Sequence, residues 1–371
     1  MTQKIMSTIH RICLYLSGVC FLSLIGCWIG NKPAACGPFA VSCIILLAVG
    51  LSSVPKLRGY RFTVCILAAV VTPMIYPHFF LEPAGINLRN KRLIMFIVQL
   101  VMFGMGTQMS INDFIGVVKM PKAVFIGITC QFTIMPLVGY TLAKAIGFPP
   151  EIAVGIILIG SCSSGLASNV MVHMAGANLA LSVTLVAVTQ LIAPIMTPLW
   201  MKILASEFVE INFFNMMFNI ILMVILPIIA ALIYNWLRKD RLKRLHSFMP
   251  VISMAGIIYF TAVTTAAGRD NLLKVGGLLV IAAVLHNSAG YFLGYWSCRL
   301  FGLDKNSCRT IAIEVGLQNG GMASGLAGQM GKLATVGLAP AIFSPWMNVS
   351  GSILANFWRK HVPCSMNENK G

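Results

Sequence analysis

Glu314-Val-Gly-Leu-Gln-Asn-Gly-Gly-Met-Ala-Ser-Gly325 sets a polar cluster inside a long apolar tract, and Glu314 is the only acidic residue placed well within such a tract. Four of these twelve residues are glycine, and Gln318, Asn319 and Ser324 add polar side chains. In lipid an uncompensated Glu costs roughly 2.5–3.5 kcal/mol or more. Each glycine costs a continuous helix about 1 kcal/mol relative to alanine. A helix-packing seam accounts for the glycines but not for Glu, Gln and Asn within six residues. The combination predicts a helix that breaks here, whose free carbonyls and carboxylate coordinate a cation.

The surrounding chain has the composition of a polytopic membrane protein: 371 residues, 58% hydrophobic and 10% charged, with mean hydropathy +0.85. Its net charge of +17 would suggest nucleic acid in a soluble protein. Here the basic residues fall mainly between apolar segments, which is the positive-inside pattern. Arg238-Lys-Asp-Arg-Leu-Lys-Arg244 is the one basic run and reads as a cytoplasmic loop, so nucleic-acid binding is not supported. The eleven cysteines include no CxxC pair, and Cys13, Cys20 and Cys27 recur every seven residues, near one helix face. They read as small packing residues with free thiols, not as disulfides or metal ligands.

Segments near the ~20-residue spanning length predict twelve crossings: 11–30, 37–54, 60–80, 91–109, 121–143, 150–176, 178–204, 213–236, 247–268, 272–300, 306–331 and 333–358. With the N-terminus inside, 18 of the 27 lysines and arginines fall on the inner side, including Lys56, Arg58, Arg238, Lys239, Arg241 and Lys370. Both termini are therefore expected to be cytoplasmic. Short loops and no transit peptide favour a bacterial inner membrane, and the first apolar stretch lacks a convincing cleavage site.

An internal repeat is visible. Ser164-Gly-Leu-Ala-Ser168 resembles Gly320-Gly-Met-Ala-Ser324, and Ala193-Pro-Ile-Met-Thr-Pro-Leu-Trp200 resembles Ala339-Pro-Ala-Ile-Phe-Ser-Pro-Trp346. The matches fall on the fourth and fifth spans of two successive five-span sets. Five is odd, so the second copy enters the membrane from the opposite side, as in transporters with a midplane site. The expected organisation is an added hairpin at 1–56, a first five-helix repeat at 57–204 and a second, inverted one at 205–371.

The first copy carries its own polar break, Gly160-Ser-Cys-Ser-Ser-Gly-Leu-Ala-Ser-Asn169, with Ser168 and Asn169 expected opposite Gln318 and Asn319. Ser182 follows on the next span, and Gln131 sits two spans earlier in an apolar run ending at Pro136. Oxygens around one carboxylate suit a hard cation, and freed helix N-termini suit an anion. Each serine taken alone reads first as an interhelical hydrogen-bond donor; their grouping around Glu314 turns the reading toward a site.

These elements resemble the bile acid:sodium symporter family. The likeness is carried by Phe103-Gly-Met-Gly106, Ala167-Ser-Asn169 with Asn178-Leu-Ala-Leu-Ser182, Glu314-Val-Gly-Leu-Gln-Asn319, and Phe343-Ser-Pro-Trp-Met-Asn-Val-Ser-Gly-Ser-Ile-Leu-Ala355, spanning residues ~58–358 in order. The resemblance implies an all-α, ten-helix inverted repeat (5+5) divided into core and panel, with two broken helices crossing in the core. It implies one sodium on Ser168, Asn169, Ser182 and Glu314. A second would use Gln131, Glu314, Gln318 and the carbonyls of Val315 and Leu317. Asn319 and Asn348, with the backbone around Leu166 and Ala167, would face a small organic anion such as a bile acid, a pantoate-like keto or hydroxy acid, or another carboxylate. Sodium is the coupling ion, and no cofactor is expected.

Three departures stand out. Val186 replaces a family threonine one turn beyond Ser182, Met347 replaces a His before the last helix's Asn, and Leu166 replaces a frequent threonine. Two other functions remain open on the residues. Cys162 with Glu314 resembles the reactive pair of arsenite exporters, and Ser161 or Ser163 with His286 would suit an intramembrane serine protease. His173 and His286 otherwise read as packing residues.

Overall fold

The computed structural model describes residues 2–30, 33–54, 61–237 and 242–360. Lys56, Arg58, Arg238, Lys239, Arg241 and Lys370, counted above for orientation, lie outside the described residues. Every regular element described is helical. α1 (Thr2–Ile29) and α2 (Pro33–Gly50) form a hairpin; α3 (Arg61–Ile75) and α4 (His78–Leu81) follow. Next come α5 (Lys91–Thr107), α6 (Ile115–Lys119), α7 (Pro121–Ile146), α8 (Pro150–Ser161), α9 (Ala167–Met174) and α10 (Leu179–Trp200). The second half contains α11 (Phe213–Ile220), α12 (Leu226–Leu237), α13 (Leu242–Ala267), α14 (Arg269–Leu300), α15 (Lys305–Gly316), α16 (Gly320–Gln329) and α17 (Leu338–Arg359).

Local chemistry sets the helix ends. Asn90, Asn178, Asn212, Asp304 and Asn319 cap α5, α10, α11, α15 and α16 by accepting backbone N–H bonds of 2.9–3.1 Å. Pro121 and Pro150 open α7 and α8, where a missing N–H costs nothing. Gly147 ends α7 at φ 73°, a left-handed turn that a side chain resists.

Large apolar side chains such as Phe96, Phe125, Ile195, Phe214, Trp236 and Phe292 are exposed on the outer surface. An apolar coat of that extent belongs in lipid, and the chain is a polytopic membrane protein. Among the described residues six helices are long and apolar enough to cross, or eight if each bent helix pair counts as one span. The expected span at 60–80 stops at Ile75 and turns by 119° into 78–85, where Pro77 and Pro83 interrupt it. The span at 91–109 turns by 77° after Thr107. The spans expected at 150–176 and 306–331 are each two short helices, of 12 and 8 residues and of 12 and 10.

α8 is apolar on every side because it is enclosed on every side: Ile152 to Ser161 are all buried. It packs against α7, α16 and α17, and its isoleucines join the central core with Met102, Met223 and Phe343. α1 lies at the other extreme, packing mainly on α2 with Tyr15, Leu22 and Trp28 exposed; α2 connects the hairpin to α3.

Candidate functional site

The two helix breaks meet. After α8 the chain extends at Cys162 (ψ 162°), and after α15 it extends at Leu317 (φ −105°, ψ 95°). Ser164 and Gln318 form an isolated antiparallel β-bridge. Gly165 N donates to Leu317 O (3.2 Å) and Asn319 N to Ser163 O (2.8 Å). Unwound backbone inside a membrane protein needs such partners, and each break supplies the other's. The sequence had placed Ser168 and Asn169 opposite Gln318 and Asn319. The residues there are Ser163 to Gly165, because the unwound segment starts at Cys162, directly after α8, and α9 has begun by Ala167.

The freed carbonyl at the end of α15 is also satisfied. Asn287 of α14 donates Nδ2–H to Gly316 O (2.8 Å), while Ser350 of α17 donates to Asn287 Oδ1 and lies 3.1 Å from the Tyr291 hydroxyl. Gly316 is required here, since a Cβ would fall 2.2 Å from the Tyr291 ring.

Glu314 lies within this junction, 2% exposed. Ser164 and Ser182 each donate a short hydrogen bond to its carboxylate, one to each oxygen. Ser182 Oγ is 2.7 Å from Asn169 Oδ1, and Ser164 Oγ is 3.4 Å from Ser168 Oγ. Four expected residues (Ser168, Asn169, Ser182 and Glu314) thus form one network. Ser164, which sequence reasoning did not single out, is in direct contact with the acid. The signal was present in the serine-rich break, but its neighbours Ser161 and Ser163 are equivalent on sequence alone.

On the other flank, Gln131 Nε2 donates to Gln318 Oε1 (2.7 Å) and to Cys162 O (3.0 Å), and Gln318 Nε2 donates to Val315 O (2.6 Å). Leu317 O accepts from Gly165 N, and Ser164 Oγ, which donates its proton to the Glu314 hydrogen bond, lies 3.3 Å from it. Gln131 Oε1 is buried with no donor, an acceptor whose burial is costly unless something positive comes to it. None of the ion pairs among the described residues reaches Glu314. No group of three His, Cys, Asp or Glu side chains among them fits a metal ion. The donor set is hydroxyl, amide, carbonyl and one carboxylate, which suits a hard alkali cation better than a transition metal.

Val186 is buried, and the nearby threonine hydroxyls are engaged elsewhere: Thr184 with Asp113 O (2.8 Å), Thr189 with Val186 O (3.2 Å). Neither takes the place that Val186 leaves.

Beside the junction is a cavity of about 360 Å³ between the breaks, α5, α13 and α17. Leu166, Ala167, Asn319 and Asn348, all expected to face substrate, line it together. Gln318, Asn319, Ser344 and Asn348 give it polar groups on one side, and Val101, Met105, Met254 and Ile257 give apolar surface on the other, where Gln108 and Ser253 add two further polar side chains. Among the described residues no Lys, Arg or His lines it. Asn319 Oδ1 is occupied in capping α16 and its Nδ2 donates to Met102 Sδ (4.0 Å), while Asn348 Nδ2 donates to Ser344 O (2.8 Å). Met347 Sδ, where the sequence departs from a His, accepts from Gln318 N at 3.3 Å.

The competing site readings find less support. Ser161 donates to Ile157 O (2.8 Å), Ser163 to Met322 Sδ (3.8 Å), and His286 Nε2 lies against Met135 O (3.2 Å) with its ring beside Phe343. Neither serine is bonded to the histidine, so no nucleophile–base pair exists. Cys162 packs into the hydrophobic core, and His173 is exposed.

Two helices interrupted against one another over a buried carboxylate, inside a bundle with an apolar coat, define a membrane transporter. Comparison with known proteins gives the particular group. The chain belongs to the sodium bile acid symporter family, whose signature matches residues 95–275. It is 37% identical over 314 residues to the uncharacterized sodium-dependent transporter YocS of Bacillus subtilis (strain 168), covering 84% of this chain and 95% of that one. It is 31% identical over 283 residues to the probable sodium/metabolite cotransporter BASS1, chloroplastic, of Arabidopsis thaliana (76% and 71%). It is 29% identical over 281 residues to the ileal sodium/bile acid cotransporter of Homo sapiens (72% and 79%). These relatives are sodium transporters and cotransporters, not enzymes.

Proposed function

We propose that the protein is a sodium-coupled symporter that imports a small organic anion by alternating access. One observation carries the reading: Glu314 is buried, hydrogen-bonded only by neutral groups, and unpaired with any cation among the described residues. A carboxylate kept in that setting needs a positive charge, and the surrounding oxygens are those an alkali cation takes. One sodium is assigned to Ser168, Asn169, Ser182 and Glu314, with Ser164 added from its contact with the acid. The other is assigned to Gln131, Glu314 and Gln318 with the carbonyls of Val315 and Leu317. The Val315 carbonyl now accepts a side-chain hydrogen bond from Gln318, which an arriving ion exchanges for itself.

The organic anion is assigned to the adjoining cavity, against Asn319, Asn348 and the backbone at Leu166 and Ala167, where the first turns of α9 and α16 present N–H groups. With no basic side chain among the described residues of the cavity wall, the bound cations supply the compensating charge. Sodium then raises substrate affinity and substrate raises sodium affinity by the same factor. The wider organisation follows the same reading: a hairpin at 1–56, inverted five-helix repeats at 57–204 and 205–371 forming core and panel, and a bacterial inner-membrane location with both termini cytoplasmic. The test is uptake into proteoliposomes with a panel of bile acids, keto and hydroxy acids, with sodium or choline outside. Uptake that ignores sodium for every anion tested would refute the proposal.

A further inference from the structure

Arg309 on α15 is 3% exposed, and among the described residues no carboxylate or hydrogen-bond acceptor meets its guanidinium. Its Nε is shielded and unpartnered. Its only described contact of this kind is with the ring of Trp358 on α17, 5.7 Å from the centroid. A guanidinium stays charged at any physiological pH, and an aromatic face alone does not offset its desolvation. Some anion has to meet it.

Trp358 also lines a groove of about 330 Å³ on the lipid-facing side of α14 and α17, together with Phe292, Tyr295, Trp296 and Leu354. Tyr295 packs at a tilt against Trp358 (6.1 Å) and edge-to-face with Trp296 (5.7 Å), which fixes the aromatic wall. The groove runs along α14 as far as Ser288, eight residues or about 12 Å from Trp296. At the Trp358 end the exposed Arg299, Arg359 and Lys360 add positive charge. The two acids nearest in sequence lie five residues to either side: Asp304 is occupied in capping α15, and Glu314 is held by Ser164 and Ser182 with no ion pair to Arg309. Cationic pockets between transmembrane helices, continuous with an apolar trough, are how anionic lipids are held.

We infer that this groove binds an anionic phospholipid, its headgroup phosphate on Arg309 beside Trp358 and one acyl chain along the aromatic wall toward Ser288. The site is separate from the Glu314 junction and does not depend on what is transported.

The experiment uses the full chain, delipidated in detergent, probed by native mass spectrometry and melting temperature. The probes are phosphatidylglycerol, phosphatidylcholine with the same acyl chains, and inorganic phosphate. Phosphatidylglycerol is expected to bind at least tenfold more tightly than phosphatidylcholine and to raise the melting temperature, with phosphate alone doing neither. Arg309→Leu is expected to lose that preference. Leu354→Trp, which fills the trough and keeps the arginine, is expected to weaken phosphatidylglycerol about tenfold, and it carries the test if the first variant does not fold. Equal binding of the two lipids, an equal shift from phosphate alone, or unaltered phosphatidylglycerol affinity in the folded variants would each overturn the inference.

Discussion

Glu314→Gln separates the two consequences of burying a charge. The substitution keeps side-chain length and an acceptor oxygen while removing the formal charge that the proposed cations need. For a cation about 4 Å from a unit charge at an effective dielectric near 20, the lost attraction is about 4 kcal/mol. At about 1.4 kcal/mol per tenfold, that weakens sodium binding roughly a thousandfold. The ion-free protein should respond in the opposite sense, because a desolvated carboxylate without a counter-ion is itself costly. The assay is thermal unfolding of wild type and variant across a sodium titration, with choline holding ionic strength constant. At sodium 100-fold above its dissociation constant the wild type gains about 2.7 kcal/mol, whereas the variant gains almost nothing. Without sodium the variant should melt no lower than wild type. A sodium response in Glu314→Gln within tenfold of wild type would show that the acid is not the counter-charge. A variant that melts far lower in both conditions would show that its role is structural.

Other outcomes follow from the same geometry. Asn287→Ala should cost about 1–3 kcal/mol by leaving the Gly316 carbonyl and the Ser350 hydroxyl unpartnered, seen as a lower melting temperature with or without sodium. Asn319→Ala should weaken organic-anion binding more than sodium binding in separate titrations, since its side chain lines the cavity; an equal loss of both would contradict the assignment. Asp304→Ala should destabilise by about 1 kcal/mol through loss of the α15 cap. Partial burial pushes the Asp304 carboxyl up, but hydrogen bonds from Ser307 and Asn306 outweigh it and hold the group below the usual carboxylate range. The cap's contribution is therefore present above the ordinary aspartate range and lost as pH falls through the lowered value, so the gap between wild type and Asp304→Ala should narrow on acidification.

How far the sequence reached is clearest at the breaks. A carboxylate, two amides and four glycines in twelve residues announce an interruption at 316–319 because each is unfavourable in a continuous lipid-embedded helix. The serine-rich stretch at 160–169 announces its counterpart. That they lie against each other needed the repeat pattern as well. Their register did not follow: one-dimensional pseudo-symmetry aligned Ser168 with Gln318, but hydrogen-bond pairing across a β-bridge is decided by where each helix actually ends. Asn287 and Ser350 escaped notice for a related reason. Each is a single polar residue in an apolar helix, and only the position of Gly316 gives them a role. The cavity residues Leu166, Ala167, Asn319 and Asn348 were anticipated through family resemblance; composition and periodicity gave no hint that they share one wall. The bends after Ile75 and Thr107 shortened spans that hydropathy alone had drawn through.

The bridge between the breaks has a mechanical corollary. Gly165 and Asn319 donate across it to the opposite strand, so neither interruption can slide or rewind without stranding peptide groups in a dry interior. The two interrupted helices are in effect stapled together. Whatever rearrangement carries cargo from one side of the bilayer to the other, this crossing should travel as a single rigid piece, with the sliding surfaces lying farther out among α5, α12 and α13.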